Sequence, residues 1–128
     1  MDAKSDYLED NILNHVLRNV AYTSPTTVYL ALFTAAPTDV GGGTEVSGGS
    51  YARQTVTFAA PISGAVANSG AVTFPLATAN WGTIVAAALF DAVSAGNMLY
   101  YGALATSKVV DTNDQISFAN GSVTVSET

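Results

Sequence analysis

The sequence predicts a mainly β fold, a single-domain antiparallel β-sandwich or barrel with one N-terminal amphipathic helix, across residues 1–128. Three observations predict it. A 3.6-residue apolar period occurs in residues 5–20. Beyond Ala21 it gives way to period-two alternation in segments rich in Thr, Val and aromatic residues. Gly, Pro, Asn and Asp divide these segments into roughly seven or eight short strands, the pattern of a sandwich or barrel rather than of alternating strands and helices.

In residues 5–20, Leu8, Ile12, Leu13, Val16, Leu17 and Val20 share one helical face. Asp6 with Glu9 reads as a capping box, and Arg18 suits the negative end of the helix dipole. The β-rich body follows at residues 26–126. Residues 26–34 are apolar on both faces, as a central strand requires, and Pro25 and Pro37 bracket them. Residues 36–50 carry three consecutive glycines and a later pair, too much backbone freedom for a regular element, and read as an exposed loop. Residues 51–59 alternate again. Short strands at 65–68 and 71–74 hinge at Ser69-Gly70 and stop at Pro75.

Residues 81–90 read as a buried strand. Ala86, Ala87 and Ala88 make helix the runner-up, but Gly82, Thr83, Ile84 and Val85 disfavour it. After a turn at 91–97, residues 98–104 return as the partner strand. Asp111-Thr112-Asn113-Asp114 is a further turn before a strand at 115–119. Asn120-Gly121 reads as a type I′ hairpin turn closed by residues 122–126.

Charged residues make up 11% of the chain, less than half the usual ~25%. Ten acidic residues against four basic ones give a net charge of −6. Lys4, Arg18, Arg53 and Lys108 are scattered, whereas nucleic-acid binding needs clustered cations, so no nucleic-acid partner is expected. No membrane partner is expected either, because the acidic balance repels anionic lipid and the longest apolar run, 84–90, is too short to span a bilayer. The absence of cysteine removes disulfide and thiolate chemistry and fits assembly in a reducing cytoplasm. The polar, acidic first residues do not read as a signal peptide. A neutral surface of Thr, Ser, Ala and Gly suits contact with copies of itself or with a larger body, because burying it desolvates no isolated charge.

Catalytic chemistry has little to draw on. His15 stands alone on the helix, without a convergent ligand set or a nucleophile to activate. Asp111, Asn113 and Asp114 superficially suggest a calcium loop, but Ile116 and Ser122 occupy the positions that would need glycine and glutamate. The glycines at 41–43 and 48–49 lack the Lys-Ser/Thr ending and following helix of a phosphate loop. No serine sits in a nucleophile elbow. Paired carboxylates for glycoside hydrolysis stay open as an alternative, since such partners can be distant in sequence. No catalytic residue, metal site or cofactor is therefore expected. The phenylalanines read as core, whereas Tyr51, Trp81, Tyr100 and Tyr101 suit either core or interface.

SGGSYARQTVTF (residues 47–58), NSGAVTFPLATANWGTI (68–84) and LFDAVSAGNMLYYGAL (89–104) resemble a family of small structural proteins from tailed bacteriophages. Its members are often labelled tail fibre proteins, and similar proteins act as capsid cement or decoration proteins. SDYLEDNILNHVL (5–17) and VYLALFTAAPTD (28–39) fit the family's N-terminal half. The resemblance implies a β-sandwich virion protein, assembled as a homotrimer. The expected function is a capsid cement that binds the outer capsid surface and ties major capsid proteins together, assembled in the host cytoplasm. The alternative is a tail fibre or tail-associated adaptor protein involved in host attachment, which calls for aromatic and polar groups clustered on exposed loops. The scarcity of loop aromatics favours cement. A small cell-wall hydrolase is a third, weaker option. The expected partner-contact residues are Leu8, Ile12 and Val16 on the helix, Thr38, Val40 and Glu45 in the glycine-rich loop, and Tyr51 just after it.

Overall fold

In a computed structural model, which describes residues 1–127, Leu30, Ala31 and Leu32 have no exposed surface. Consecutive strand residues point to opposite faces, so a strand buried at three successive positions is covered on both sides. That strand, β2 (Val28–Ala35), is the centre of the fold, as the doubly apolar pattern of residues 26–34 predicts. Around it run β1 (Ala3–Lys4), α1 (Asp6–Leu17), β3 (Thr44–Glu45), β4 (Gln54–Val56), β5 (Ala65–Ala67) and β6 (Val72–Thr73). Then come β7 (Gly82–Phe90), β8 (Met98–Val110), β9 (Ser117–Phe118) and β10 (Thr124–Ser126).

The main sheet is antiparallel, in the order β1-β8-β7-β2-β3, with β4 also paired to β2. Two ribbons, β5–β10 and β6–β9, complete a sandwich-like arrangement. Leu30, Leu32, Ile84, Ala87 and Leu89 share the main core with Phe74, Trp81, Ile116 and Val123. Ala31, Phe33, Ala86, Ala88 and Met98 form a second cluster. Residues 81–90 are strand, not helix, and the three alanines divide between the two clusters. Ala86 and Ala88 fall in one and Ala87 in the other, as a strand's period of two demands.

Hydrogen bonds also lace the layers into a circuit. Met1 joins β1 to β10, its amino group donating to the Thr124 carbonyl (2.5 Å) and its carbonyl accepting from Ser126 N–H (2.9 Å). Beyond β10 and β5, Ala59 N–H donates to Ala67 O and Ser69 N–H to Thr57 O. These bonds bring the chain leaving β4 alongside β5, and β4 returns to β2. Such closure leaves fewer unpaired strand edges.

Several boundaries differ from those expected. The helix spans Asp6–Leu17, not 5–20, and its cap is Ser5 rather than Asp6. Ser5 has extended backbone and its hydroxyl accepts from Leu8 N–H at 3.2 Å. Leu8, not Glu9, therefore stands three residues beyond the cap, and no capping box forms. Asn19 ends the helix by entering the left-handed region at φ 56°. The strand expected at 98–104 continues to Val110.

Asn120-Gly121 does not join a hairpin, because β9 pairs with β6 and β10 with β5. Only Gly121 of the two has positive φ, at 80°, where a type I′ turn needs both. The turn is instead held by a buried side chain, Asn68. Its amide donates to the Gly70 and Ala119 carbonyls and its oxygen accepts from Val123 N–H. A primed two-residue turn does occur at Ser63-Gly64 (φ 51° and 79°), closed by paired bonds between Ile62 and Ala65.

Candidate contact surface

The helix is amphipathic, yet it covers little of its apolar face. It packs on β8, where Ser5 N–H donates to Leu99 O (2.9 Å) and the Ser5 hydroxyl to Met98 O. Leu8 is its one buried side chain, and Ile12 is half-buried. Leu13, Val16 and Leu17 are 54%, 69% and 74% exposed, and Val20 just beyond the helix is 46% exposed. Of the three expected helix contacts, Leu8 thus faces inward, Ile12 sits at the margin and only Val16 is fully presented to solvent.

The loop contacts divide similarly. Thr38 and Gly41 close a tight turn through paired backbone bonds of 2.9 and 2.8 Å, with the Thr38 hydroxyl also donating to Gly41 O. Val40 stands at its tip, 83% exposed. The turn is tied to the helix start by Asp6 N–H on Asp39 O (2.9 Å), and the Tyr101 hydroxyl donates to the Asp39 carboxylate. That hydrogen bond, with a little burial and the nearby acids, pushes Tyr101 up to about 12. Further along, Gly43 sits at φ 71°, where a Cβ would lie 2.5 Å from Ala35 O, so only glycine fits.

Glu45 and Tyr51 belong to an internal polar node. Arg53 grips Glu45 with two parallel bonds of 2.8 Å, Nε to Oε2 and Nη2 to Oε1. Its Nη1 donates to the Ala92 (2.9 Å) and Ala95 (2.8 Å) carbonyls, and its guanidinium lies 3.7 Å from the Phe90 ring centre. The Tyr51 hydroxyl donates to Glu45 (2.7 Å) and accepts from Leu32 N–H (3.0 Å). Burial alone would push the Glu45 carboxyl up, but the bonds from Arg53 and Tyr51, with Arg53's charge, hold it below the usual range. Burial pushes the Tyr51 hydroxyl well above its ordinary value, and the bond to Glu45 adds to that.

The Tyr51 ring packs edge-on to Trp81 (5.4 Å) and stacked on Phe74 (6.1 Å). The polar atoms of Glu45 and Tyr51 are therefore engaged within the chain. Arg53, which the sequence shows only as one of four scattered cations, organises the node. An Arg just before a strand in the alternating segment 51–59, eight positions after a Glu, is the signal that marks it.

Between helix start, turn and node lies an open cleft of about 620 Å³, lined by Asp6, Tyr7, Phe33, Asp39, Phe90 and Asn97 among others. Carboxylates, an amide and aromatic rings equip it to bind, but no base stands beside a nucleophile there. His15 lies outside it, its ring nitrogen 3.3 Å from Val20 O. Asp111 and Asp114 close their own turn, through Asp114 N–H on Asp111 O and Asp111 N–H on the Asp114 carboxylate, both 2.9 Å. Among the described residues no group of three or more His, Cys, Asp or Glu is arranged to hold a metal ion.

The family model described as "Podophage GP4 fiber I protein gp80" matches residues 3–126. No curated protein matches. The family match overturns the expected capsid cement; it supports a virion component without showing a place on the capsid surface. It favours the tail-fibre alternative and makes the chain a structural, virion-associated protein rather than an enzyme. The scarcity of loop aromatics that favoured cement describes what the loops lack and not what lies across the contact surface, which is why it misdirected the choice.

Proposed function

Because this chain belongs to the podophage GP4 fiber I protein gp80 family, we propose that it is a building block of the phage tail fibre and takes part in host attachment. The match over residues 3–126 carries this reading, since it runs through helix, sheet and ribbons rather than one motif. The contact surface supports it. Val40, Val16 and Leu17 are held outward on backbone fixed by hydrogen bonds, a preorganisation that limits the entropy lost on docking. The homotrimer implied by the resemblance belongs to the same proposal.

Immunogold labelling of purified virions with an antibody to this chain tests the placement. Label at the tail and a handful of copies per particle are expected; label spread over the shell in hundreds of copies refutes it. Purified chain added before infection should slow adsorption of virions to host cells, and the mass of the free chain in solution tests the trimer.

A further inference from the structure

We infer that the outer ridge of α1 docks a partner other than a second copy of this chain: an apolar surface fringed by lysine or arginine, carried by another virion protein. This rests on the fibre reading only for the partner's being a virion protein. Steps of three and four residues lead along the ridge from Asp6 to Glu9 and Asp10, to Leu13, and to Val16 and Leu17, with Val20 exposed just beyond the helix end. The first two turns are therefore acidic and the remainder apolar. All seven side chains are exposed, and Asp39 adds a further carboxylate beside the acidic end.

Among the described residues no basic side chain pairs with these acids: the ion pairs are Lys4–Glu127 and Arg53–Glu45, and Arg18 is turned to the Asn14 side chain at 2.8 Å.

Area and charge together select the partner. Leu13, Val16, Leu17 and Val20 expose roughly 400 Å² of apolar side chain, about half of the ~800 Å² each side contributes to a stable interface. The rest must come from the neighbouring acidic turns. A second copy laid parallel would set carboxylates against carboxylates. Laid antiparallel, it would bury them against Leu17 and Val20 without a counter-charge, a desolvation that nothing offsets. A partner with an apolar stripe and flanking cations covers both halves at once.

Two synthetic amphipathic helices with the same leucine face test this, one flanked by lysines and the other by glutamates, with binding to the full chain read by fluorescence anisotropy. The lysine peptide should bind, and at least fivefold more weakly when salt is raised from 50 to 300 mM. Leu17→Asp should weaken it tenfold or more while circular dichroism stays unchanged. The double variant Glu9→Lys, Asp10→Lys should switch preference to the glutamate peptide, and Asp111→Lys on a distant turn should change nothing. Equal binding of both peptides, or binding indifferent to Leu17→Asp, overturns the inference. So does self-association by sedimentation that Leu17→Asp abolishes, because a second copy then occupies the ridge. Tail labelling of virions is read separately, so failure of the fibre reading is distinguishable from failure of this one.

Discussion

Replacing Arg53 by alanine removes the anchor of the polar node in one step. The arginine side chain is 7% exposed and its Glu45 partner 25% exposed. Removing one member of a buried pair leaves the other desolvated and unmatched, typically at 3–5 kcal/mol. Glu45 retains some access to water, which places Arg53→Ala near the lower end, about 3 kcal/mol. The Ala92 and Ala95 carbonyls lose their donor at the same time. At about 4 °C per kcal/mol for a chain of this length, the melting temperature should fall by about 12 °C.

Urea titration and calorimetry measure the loss. The double variant Glu45→Ala, Arg53→Ala should lose less than the sum of the two single variants, since no orphan charge remains. The pH dependence has a defined sign. Glu45 titrates below its ordinary value when folded, so its contribution is complete above the unfolded carboxyl pKa of ~4.3 and is lost as pH falls through the folded value. Arg53→Ala should shrink that acid-dependent loss. A destabilisation under about 1 kcal/mol with additive single variants would show that Arg53 is solvated in solution, and the node would then not hold the loops together.

Other variants probe the core and the helix. Phe74→Ala empties a site with no exposed surface, flanked by Tyr51, Trp81 and Phe118, and should cost about 3–5 kcal/mol in urea titration. Gly49→Ala places a Cβ 2.9 Å from Trp81 Nε1 at φ 57°; a loss of about 2 kcal/mol is expected, with a shifted Trp81 emission spectrum. Leu8→Ala should destabilise by about 2–3 kcal/mol, whereas Leu17→Ala should stay within about 0.5 kcal/mol because its side chain is 74% exposed. Tyr101, raised to about 12 by Asp39, contributes stability present below its unfolded pKa of ~10 and lost as pH rises toward 12. Tyr101→Phe should remove that alkaline sensitivity.

Whatever depends on local periodicity was legible without coordinates. The one helix, the doubly buried strand around Leu30 and the strand through three alanines follow from steps of 3.6 or 2, properties carried by neighbouring residues. The glycine-rich stretch 36–50, expected as an exposed loop, instead holds β3 and sinks Val46 into the core, because β2 offers it a pairing edge. Tertiary structure decided what depends on distant partners. Asn68 cancels a hairpin that Asn120-Gly121 would specify alone, because its amide satisfies backbone groups some fifty residues away. Arg53 turns from a stray cation into an anchor only when folding brings Glu45 and the 92–95 loop around it. The helix stripe, uniform in sequence, divides into a buried start and an exposed ridge because β8 reaches the first turns alone; burial belongs to the pair of surfaces that meet, and one strand of letters describes only one of them.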